Sequence, residues 1–251
     1  MSGAILDDFE DLSGWTAITS GEARLAISPE RGRTGAAVRL DYDFRGGGGF
    51  VVARKAFPLN LPESYAFSLG IRGHGPSNIL EFKLVDASNQ NVWRWRVEAF
   101  DLPQDWQTLR IKGSQIPFAW GPLGGGPPRA IAAIELVIAA GPGGGGTLWV
   151  EDLRLEDTSY SLTPVVEASS ALPGCGACHV LDPSPETGWC SVPGGGAQRL
   201  VIDFQQEREL GGLAIRWDWE RRPRALEVQL SRDGSAWQTC LATDGGVSDT
   251  T

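Results

Sequence analysis

The alternation of short β-rich runs with tight glycine and proline clusters constrains the fold of this chain more than any other feature. The 251 residues include 33 glycines and 16 prolines, and glycine tracts lie at 46–49, 124–126, 143–146 and 194–196. Each tract is short and flanked by β-rich sequence, which distinguishes it from a low-complexity linker. Short strands separated by Gly/Pro turns predict a β-sandwich.

Period-two alternation supports this prediction most directly in the segment 65–72, where large apolar residues alternate with small or polar ones. The most apolar run, 130–140, could form a helix, but its β-branched residues and the Gly-Pro stop after it favour a buried strand. Because no long helix is predicted, the expected fold class is all-β.

We predict a domain boundary near 157–164, where polar residues and a proline follow a run with the pattern of a closing strand. The predicted domains are 1–158 and 165–251, two tandem jelly-roll β-sandwiches. The second is short for such a sandwich, and no closing strand is visible before Thr251. A sandwich without its last strands would have an open sheet edge. We therefore expect the natural protein to continue.

Charge and hydropathy argue against two classes of partner. The formal net charge of −9 repels phosphate backbones, so nucleic acid is not an expected partner. No basic amphipathic segment or run of about 20 apolar residues suggests a membrane partner. The N-terminus lacks the basic and apolar regions of a signal peptide. We expect a cytoplasmic protein if Met1 is the natural start and leave the localisation open otherwise.

The chain lacks the residue patterns of common catalytic sites. Its only histidines are His74 and His179, no Ser-His-Asp arrangement is visible, and no Gly-x-Ser-x-Gly elbow occurs. The glycine tracts lack the Lys-Ser/Thr of a phosphate-binding loop. We therefore predict a non-catalytic protein.

The first domain carries motifs in a recognisable order. They are Ile5-Leu-Asp-Asp-Phe-Glu-Asp11 at the start, the segments 37–41, 82–86 and 106–111, and Trp149-Val-Glu-Asp-Leu-Arg-Leu155 at the end. With these motifs, residues 5–156 resemble the galactose-binding-like jelly rolls, which include several families of carbohydrate-binding modules. The resemblance implies a ligand cleft on the outer, concave face of one sheet, formed by 81–85 and 92–98.

The same resemblance implies a structural calcium site where the first and last strands lie side by side. The candidate ligands are the carboxylates of Asp8, Glu10 and Asp152, with backbone carbonyls of Arg31 and Thr34. Such hard oxygen ligands suit Ca²⁺. The alternative is that these acids are ordinary solvated residues.

Tryptophan and arginine alternate along 92–98, which allows two interpretations. In one, the two tryptophans are core residues and the arginines are solvated; in the other, one stripe binds sugar. Indole rings offer flat platforms to sugar C–H faces, and guanidinium groups offer bidentate hydrogen bonds. We expect Trp15, Trp106 and Trp149 in the core and Trp120 on a Gly/Pro loop. The carbohydrate-binding candidates are Lys83, Trp93, Arg94, Trp95, Arg96 and Trp120.

The second domain resembles the first two-thirds of a discoidin domain of the factor V/VIII C type. The segments 166–170, 180–191, 200–204, 213–217 and 225–239 carry this resemblance. Asp182, Thr187 and Trp189 match the family's Asp…Thr…Trp turn, which holds calcium in some sugar-binding relatives. Pro183 replaces the usual glycine, and the part supplying a late acidic ligand is absent, so calcium is not expected here. The order of the two domains implies the N-terminal part of a larger bacterial glycosidase-like protein with further domains downstream.

The cysteines raise separate hypotheses; they are Cys175, Cys178, Cys190 and Cys240. Cys175-Gly-Ala-Cys-His179 matches the haem-attachment pattern. A distal haem ligand has no candidate in this domain, since the only methionine is Met1 and the only other histidine is His74. A zinc site could use the first three cysteines with His179, and an oxidising compartment would allow a disulfide. We expect unligated thiols if the protein is cytoplasmic.

Together these observations predict a carbohydrate-binding region of a larger carbohydrate-active protein, with an oligo- or polysaccharide as the partner of the first domain. The alternative is a pair of structural or protein-interaction sandwiches that position a downstream catalytic domain. That alternative predicts a flat, loop-blocked sheet face with no exposed aromatic residue. A redox or metal module centred on 175–179 is the third hypothesis.

Overall fold

Strands separated by turns account for almost the whole architecture, as the sequence periodicity predicts. The computed structural model describes residues 3–160, 162–194, 196–208, 210–218, 220 and 222–244. The all-β prediction is confirmed, and the helices among these residues are two short 3-10 turns, Gly113–Gln115 and Ala177–Leu181. No helix in this described part is long and apolar enough to cross a membrane. The chain divides into two units, Met1–Ser159 and Tyr160–Thr251.

The first unit is a sandwich of two antiparallel sheets. In chain order its strands are β1 (Ala4–Asp7), β2 (Trp15–Thr19), β3 (Arg24–Arg31), β4 (Ala36–Asp43), β5 (Phe50–Asn60), β6 (Tyr65–His74), β7 (Asn78–Val85), β8 (Val92–Phe100), β9 (Gln107–Lys112), β10 (Phe118–Trp120), β11 (Ala130–Ala139) and β12 (Gly145–Asp157). The first sheet has the order β3-β4-β12-β6-β9, with β1 also paired to β12. The second sheet has the order β10-β8-β7-β11-β5-β2.

The core fills the space between the two sheets. The apolar side chains of β6 face it in strict alternation, and Phe67 meets Phe82 of β7 with ring centroids 5.0 Å apart. The run 130–140 forms strand β11, as predicted, with Ile134, Leu136 and Ile138 in this core. Burying each large apolar side chain contributes about 1.5–3 kcal/mol, as an upper estimate.

The tryptophans expected in the core divide between two environments. Trp15 is buried as predicted, and its indole Nε1 donates to the buried Asp7 carboxylate at 2.8 Å. The core prediction is wrong for Trp106 and Trp149, which are half-buried outside the core. Leu148 and Val150 face the core, so the period-two geometry of β12 turns Trp149 to the outer face of the first sheet.

The second unit contributes two strand pairs. Strands β13 (Val165–Ala168) and β14 (Leu200–Asp203) pair with each other, and so do β15 (Ala225–Leu230) and β16 (Gln238–Asp244). Among the residues of this unit that the structure describes, no side chain is fully buried. Side-chain packing against these pairs is therefore sparse among the described residues of this unit.

Candidate functional site

The outer face of the second sheet carries a dense array of charged side chains. Strands β7 and β8 each send apolar residues inward, which turns Glu81 and Lys83 outward on one strand and Arg94 and Arg96 outward on the other. The antiparallel register places Glu81 opposite Arg96 and Lys83 opposite Arg94. Glu81 and Arg96 attract each other across the two strands, whereas Lys83 and Arg94 are like charges directly opposite each other. Both of these cations pair with Glu81 instead, so Glu81 fixes the other three side chains.

Glu81 is the centre of this array. Its side chain is 3% exposed, and its Oε1 accepts from Arg94 Nη1 at 3.0 Å and from Arg96 Nη1 at 2.6 Å. Its Oε2 lies 3.0 Å from Lys83 Nζ. Burial alone would raise the pKa of Glu81, but hydrogen bonds and charges from Lys83, Arg96 and Arg94 outweigh it and lower the pKa below its ordinary value. The carboxylate therefore stays ionised beneath three cations.

Two further ion pairs continue the array on either side. Arg96 binds Glu98 in a bidentate manner, with Nε–Oε1 at 2.6 Å and Nη2–Oε2 at 2.9 Å. These bonds, together with those to Glu81, raise the pKa of Arg96. On the other side, Arg54 Nη1 lies 2.6 Å from Glu135 Oε1. Sequence analysis missed Arg54 and Glu135, although the alternation of β5 and β11 could have indicated their outward direction.

Trp120 covers part of this array. Lys83 Nζ lies 5.3 Å and Arg94 Cζ 5.4 Å from its ring centroid, both within cation–π range. The residue ends the short strand β10, which pairs with β8, so the expectation that it lies on a loop is wrong. The side chain remains 45% exposed. We call this surface the Trp120 face; it comprises Arg54, Glu81, Lys83, Arg94, Arg96, Glu98, Trp120 and Glu135.

The glycine-rich loop after Trp120 is anchored to the β7–β8 hairpin. The Leu123 amide donates to Asn91 Oδ1 at 2.8 Å, and Trp93 Nε1 donates to the Gly126 carbonyl at 2.7 Å. Gly121 has φ +136°, and a Cβ built on it would lie 2.4 Å from Asn91 Oδ1. Only glycine fits this conformation and this close approach, and together they fix the position of Trp120.

Gly121→Ala is expected to destabilise the first unit by about 2–4 kcal/mol. An alanine at this positive φ costs about 1–3 kcal/mol of backbone strain, and its Cβ also clashes with Asn91. Gly125→Ala is the matched control, since Gly125 has φ +147° but open space around a built Cβ. Urea unfolding of both variants measures the difference. Equal destabilisation would contradict the anchoring of the loop through Asn91.

Two predicted sugar contacts face the core, Trp93 within it and Trp95 against its edge. Trp93 is 2% exposed and packs edge-to-face on Phe118 at 5.7 Å. Trp95 is half-buried, packs against the same core and meets Phe100 at 6.2 Å. The assignment of Trp93 and Trp95 to the ligand surface is corrected accordingly. Lys83, Arg94, Arg96 and Trp120 are brought together on the outer face.

The residues predicted as calcium ligands have separate partners. Asp152 turns to Arg154, with Nη2–oxygen distances of 2.9 and 3.0 Å. Asp8 accepts the Glu10 amide at 3.1 Å, while Arg31 and Thr34 are exposed. Within the described ranges, no three His, Cys, Asp or Glu side chains form a group that could hold a metal ion.

Glu151, the neighbour of Asp152, reaches the early turn instead. Its side chain is 3% exposed, its Oε2 accepts the Arg33 amide at 2.5 Å, and Arg33 Nε lies 3.1 Å from its Oε1. That buried Oε1 accepts no hydrogen bond. A Cβ on Gly32 would lie 2.5 Å from Oε2, so the glycine leaves room for the carboxylate. Glu10 also approaches this turn, since its Oε1 would lie 3.9 Å from a Cβ on Gly35.

The predicted turn of the second unit is formed. Thr187 Oγ1 donates to Asp182 Oδ1 at 2.5 Å, and Trp189 Nε1 donates to the Ser170 carbonyl at 2.7 Å. The Cys190 amide donates to the Cys175 carbonyl at 3.2 Å, which brings these two cysteines of the loop side by side along the backbone. The zinc hypothesis gains no support, because no three His, Cys, Asp or Glu side chains in the described part of the chain are grouped as zinc ligands would be.

Comparisons with known proteins confirm both resemblances at the level of fold. Residues 165–251 match the F5/8 type C domain family. The family 11 carbohydrate-binding module of a cellulosomal cellulase of Clostridium thermocellum superposes with a TM-score of 0.51 at 17% identity, covering 62% of this chain and 95% of that one. A family 11 module from the same organism, in complex with a β-1,3-1,4-mixed-linked tetrasaccharide, gives a TM-score of 0.51 at 19% identity. That match covers 60% of this chain and 93% of the module. No curated protein sequence matches the chain significantly.

Proposed function

We propose that the first unit binds an oligo- or polysaccharide on the Trp120 face and holds it without catalysing a reaction. The observation that carries this proposal is Trp120 itself. The indole is 45% exposed, lies over Lys83 and Arg94, and belongs to the last residue of a strand whose following loop is anchored at Asn91. An aromatic ring at the surface beside charged hydrogen-bonding groups offers a sugar both a stacking platform and hydrogen-bond partners.

The face supplies complementary groups for a sugar. The apolar C–H side of a pyranose ring can stack on the open side of Trp120, while guanidinium N–H groups of Arg94 and Arg96 donate to hydroxyl oxygens. The Glu98 carboxylate, whose side chain is 72% exposed, can accept from hydroxyl groups. Because the ion pairs hold these side chains in place, little rotamer entropy is lost on binding.

The fold supports this assignment. Both similar structures are carbohydrate-binding modules, and one was solved with a bound tetrasaccharide. We propose that the unit acts as an accessory domain of a larger carbohydrate-active protein whose further domains supply the chemistry. The alternative, a purely structural sandwich, predicts a sheet face without an exposed aromatic residue, and Trp120 does not meet that expectation.

Calorimetric titration of the full chain against a panel of neutral and acidic oligosaccharides tests the proposal. Saturable binding to one glycan class, competed by the same glycan in soluble polymeric form, is the expected result. Absence of binding to every member of the panel at millimolar ligand would overturn it.

We also propose a structural calcium site at the turn 32–35, with Glu151 in place of Asp152 as the ligand from the last strand. The buried Oε1 of Glu151 without a hydrogen bond, the space left by Gly32 and the nearby Glu10 carboxylate support it. Backbone carbonyls of the turn would complete an oxygen ligand set, and the ion would link the first and last strands. Arg33 pairs with Glu151 and would compete with the ion.

Calcium is expected to raise the midpoint temperature of thermal unfolding of the first unit. An ion that binds only the folded state, at a concentration about 100 times its Kd, adds about 2.7 kcal/mol to the free energy of unfolding. Arg33→Gln should lower the midpoint in EDTA and bind calcium more tightly than the wild type, since it removes the competing cation. Differential scanning calorimetry in EDTA and in millimolar calcium measures both effects, with magnesium as the control ion. The same midpoint with and without calcium in both proteins would exclude the site.

A further inference from the structure

The outer face of the first sheet carries a second cluster of aromatic and cationic side chains. The register places Trp149 of β12 directly opposite Arg39 of β4 on one side and Arg72 of β6 on the other. Trp106 immediately precedes β9, the next strand in the sheet. We call this row the Trp149 face; it comprises Arg39, Arg72, Trp106 and Trp149.

These four side chains form one continuous stack. The Arg72 Cζ lies 4.7 Å from the Trp149 ring centroid and 5.3 Å from the Trp106 ring centroid. The Arg39 Cζ lies 5.6 Å from the Trp149 ring. The imidazole of His74, which is exposed, meets Trp149 edge-on at 5.5 Å. Both indoles are half-buried, so the stack is ordered and still open to solvent at its edges.

Arg72 lacks the anionic partner that the other cation in the row possesses. Arg39 Nε donates to both oxygens of Asp41 at 3.1 and 2.9 Å, and Thr147 Oγ1 donates to the same carboxylate at 2.6 Å. In the part of the chain that the structure describes, no carboxylate forms an ion pair with Arg72. A half-buried guanidinium group is costly without an anion, and two indole rings compensate for this only in part.

Two hydrogen-bond donors of this stack also lack acceptors. Arg72 Nε and Trp149 Nε1 are buried and have no hydrogen-bond partner among the described residues. Both groups are donors only, so an acceptor oxygen from a ligand or from water is needed to satisfy them. Buried donors of this kind are rare in native folds and call for an explanation.

We propose that the Trp149 face is a second binding site, on the opposite side of the sandwich from the Trp120 face, for an anionic sugar unit. A planar carboxylate supplies the charge and the two acceptor oxygens that the Arg72 guanidinium can bind as a fork. The C–H face of the same sugar ring packs against the exposed edge of the indole stack. Because Arg72 Nε is buried, binding requires the Arg72 side chain to rotate so that this donor reaches the ligand.

Nuclear magnetic resonance of the ¹⁵N-labelled full chain tests this site without any mutation. The probes are a galacturonic acid trimer, the neutral galactose trimer, a sulfated galactose oligomer and sodium sulfate. The Trp149 Nε1–H resonance, assigned with Trp149→Phe, and the Arg72 Nε–H resonance should shift saturably with the galacturonic acid trimer and remain unchanged with the neutral trimer. An equal response to the sulfated oligomer supports an anionic sugar of either kind.

Paired variants separate the charge of Arg72 from general effects. Arg72→Gln should weaken binding of the acidic trimer about tenfold or more, because it removes the charge-assisted hydrogen bonds. Arg110→Gln is the matched control, since Arg110 lies on β9 of the same sheet and is paired with Glu156 at 2.9 Å. The affinity of the Arg110→Gln variant for the acidic trimer should remain within about twofold of the wild type, because an exposed ion pair contributes little free energy.

The experiment distinguishes this site from the Trp120 face. Trp120→Ala should leave the Trp149 and Arg72 shifts intact, even if it abolishes all other sugar binding or if no sugar binds the Trp120 face at all. Loss of both shifts in Trp120→Ala would overturn the second site. The same is true if no probe moves the two resonances, or if sodium sulfate alone reproduces the shifts at the same concentration.

Discussion

Trp120→Ala is expected to lower the affinity of the Trp120 face for its glycan by about 30-fold or more, because truncating a central aromatic anchor costs about 2 kcal/mol or more. The indole is the largest apolar surface on this face, and the surrounding groups are charged. Stability should change little, because the ring is 45% exposed and contacts the fold mainly through the two cations. Calorimetric titration measures the affinity, and thermal unfolding checks the fold.

Trp237→Ala is the matched control for this prediction. Trp237 is also 45% exposed but belongs to the second unit, where its Nε1 donates to the Gly234 carbonyl at 3.1 Å. Trp120→Phe should recover part of the affinity, since it keeps an aromatic platform. If Trp120→Ala binds like the wild type while Trp237→Ala does not, the binding surface belongs to the second unit and the proposed face is incorrect.

The fold class and part of the Trp120 face could be predicted from the sequence. Strand periodicity fixes side-chain direction once the apolar face is known, so Lys83 could be assigned outward from its neighbours alone. For Arg94 and Arg96 the alternation with two tryptophans left both directions open. The strand register that places Lys83 opposite Arg94 could not be predicted from the sequence, because register depends on contacts between segments. Nor could the role of Glu81, since a carboxylate buried under three cations has the same sequence pattern as a solvated one.

The errors have local physical causes. In the closing strand, Leu148, Trp149 and Val150 are all apolar, so composition does not reveal which phase of the alternation faces the core. A register shift between 151 and 154, with Asp152 at φ +57°, then changes the direction of the next residues. This bulge turns Glu151 to the early turn and Asp152 to its neighbour Arg154, which the sequence pattern could not indicate.

Glu81→Gln is expected to destabilise the first unit by about 2–4 kcal/mol at pH 7, because removing one partner of a buried ionic cluster leaves uncompensated charge. The effect lies below that of a fully buried triad, since the side chains of Arg94 and Arg96 are 33% and 30% exposed. The variant leaves Lys83, Arg94 and Arg96 to repel one another, and the first two of them lie beneath Trp120. It should therefore also weaken glycan binding, because two of these cations position the indole.

The pH dependence of the same variant identifies charge as the cause. The folded-state pKa of Glu81 lies below its ordinary value of 4.5, so the stabilisation is fully present above pH 4.5 and is lost as the pH falls through the folded-state pKa. The stability difference between wild type and Glu81→Gln should be largest at pH 7 and shrink at pH 3, as measured by urea unfolding. Glu98→Gln is the control, since its side chain is 72% exposed and Arg96 retains Glu81, so we expect no resolvable change at pH 7. An equal loss in both variants, or a Glu81→Gln effect that is the same at pH 3 and pH 7, would mean that shape rather than charge holds this face together.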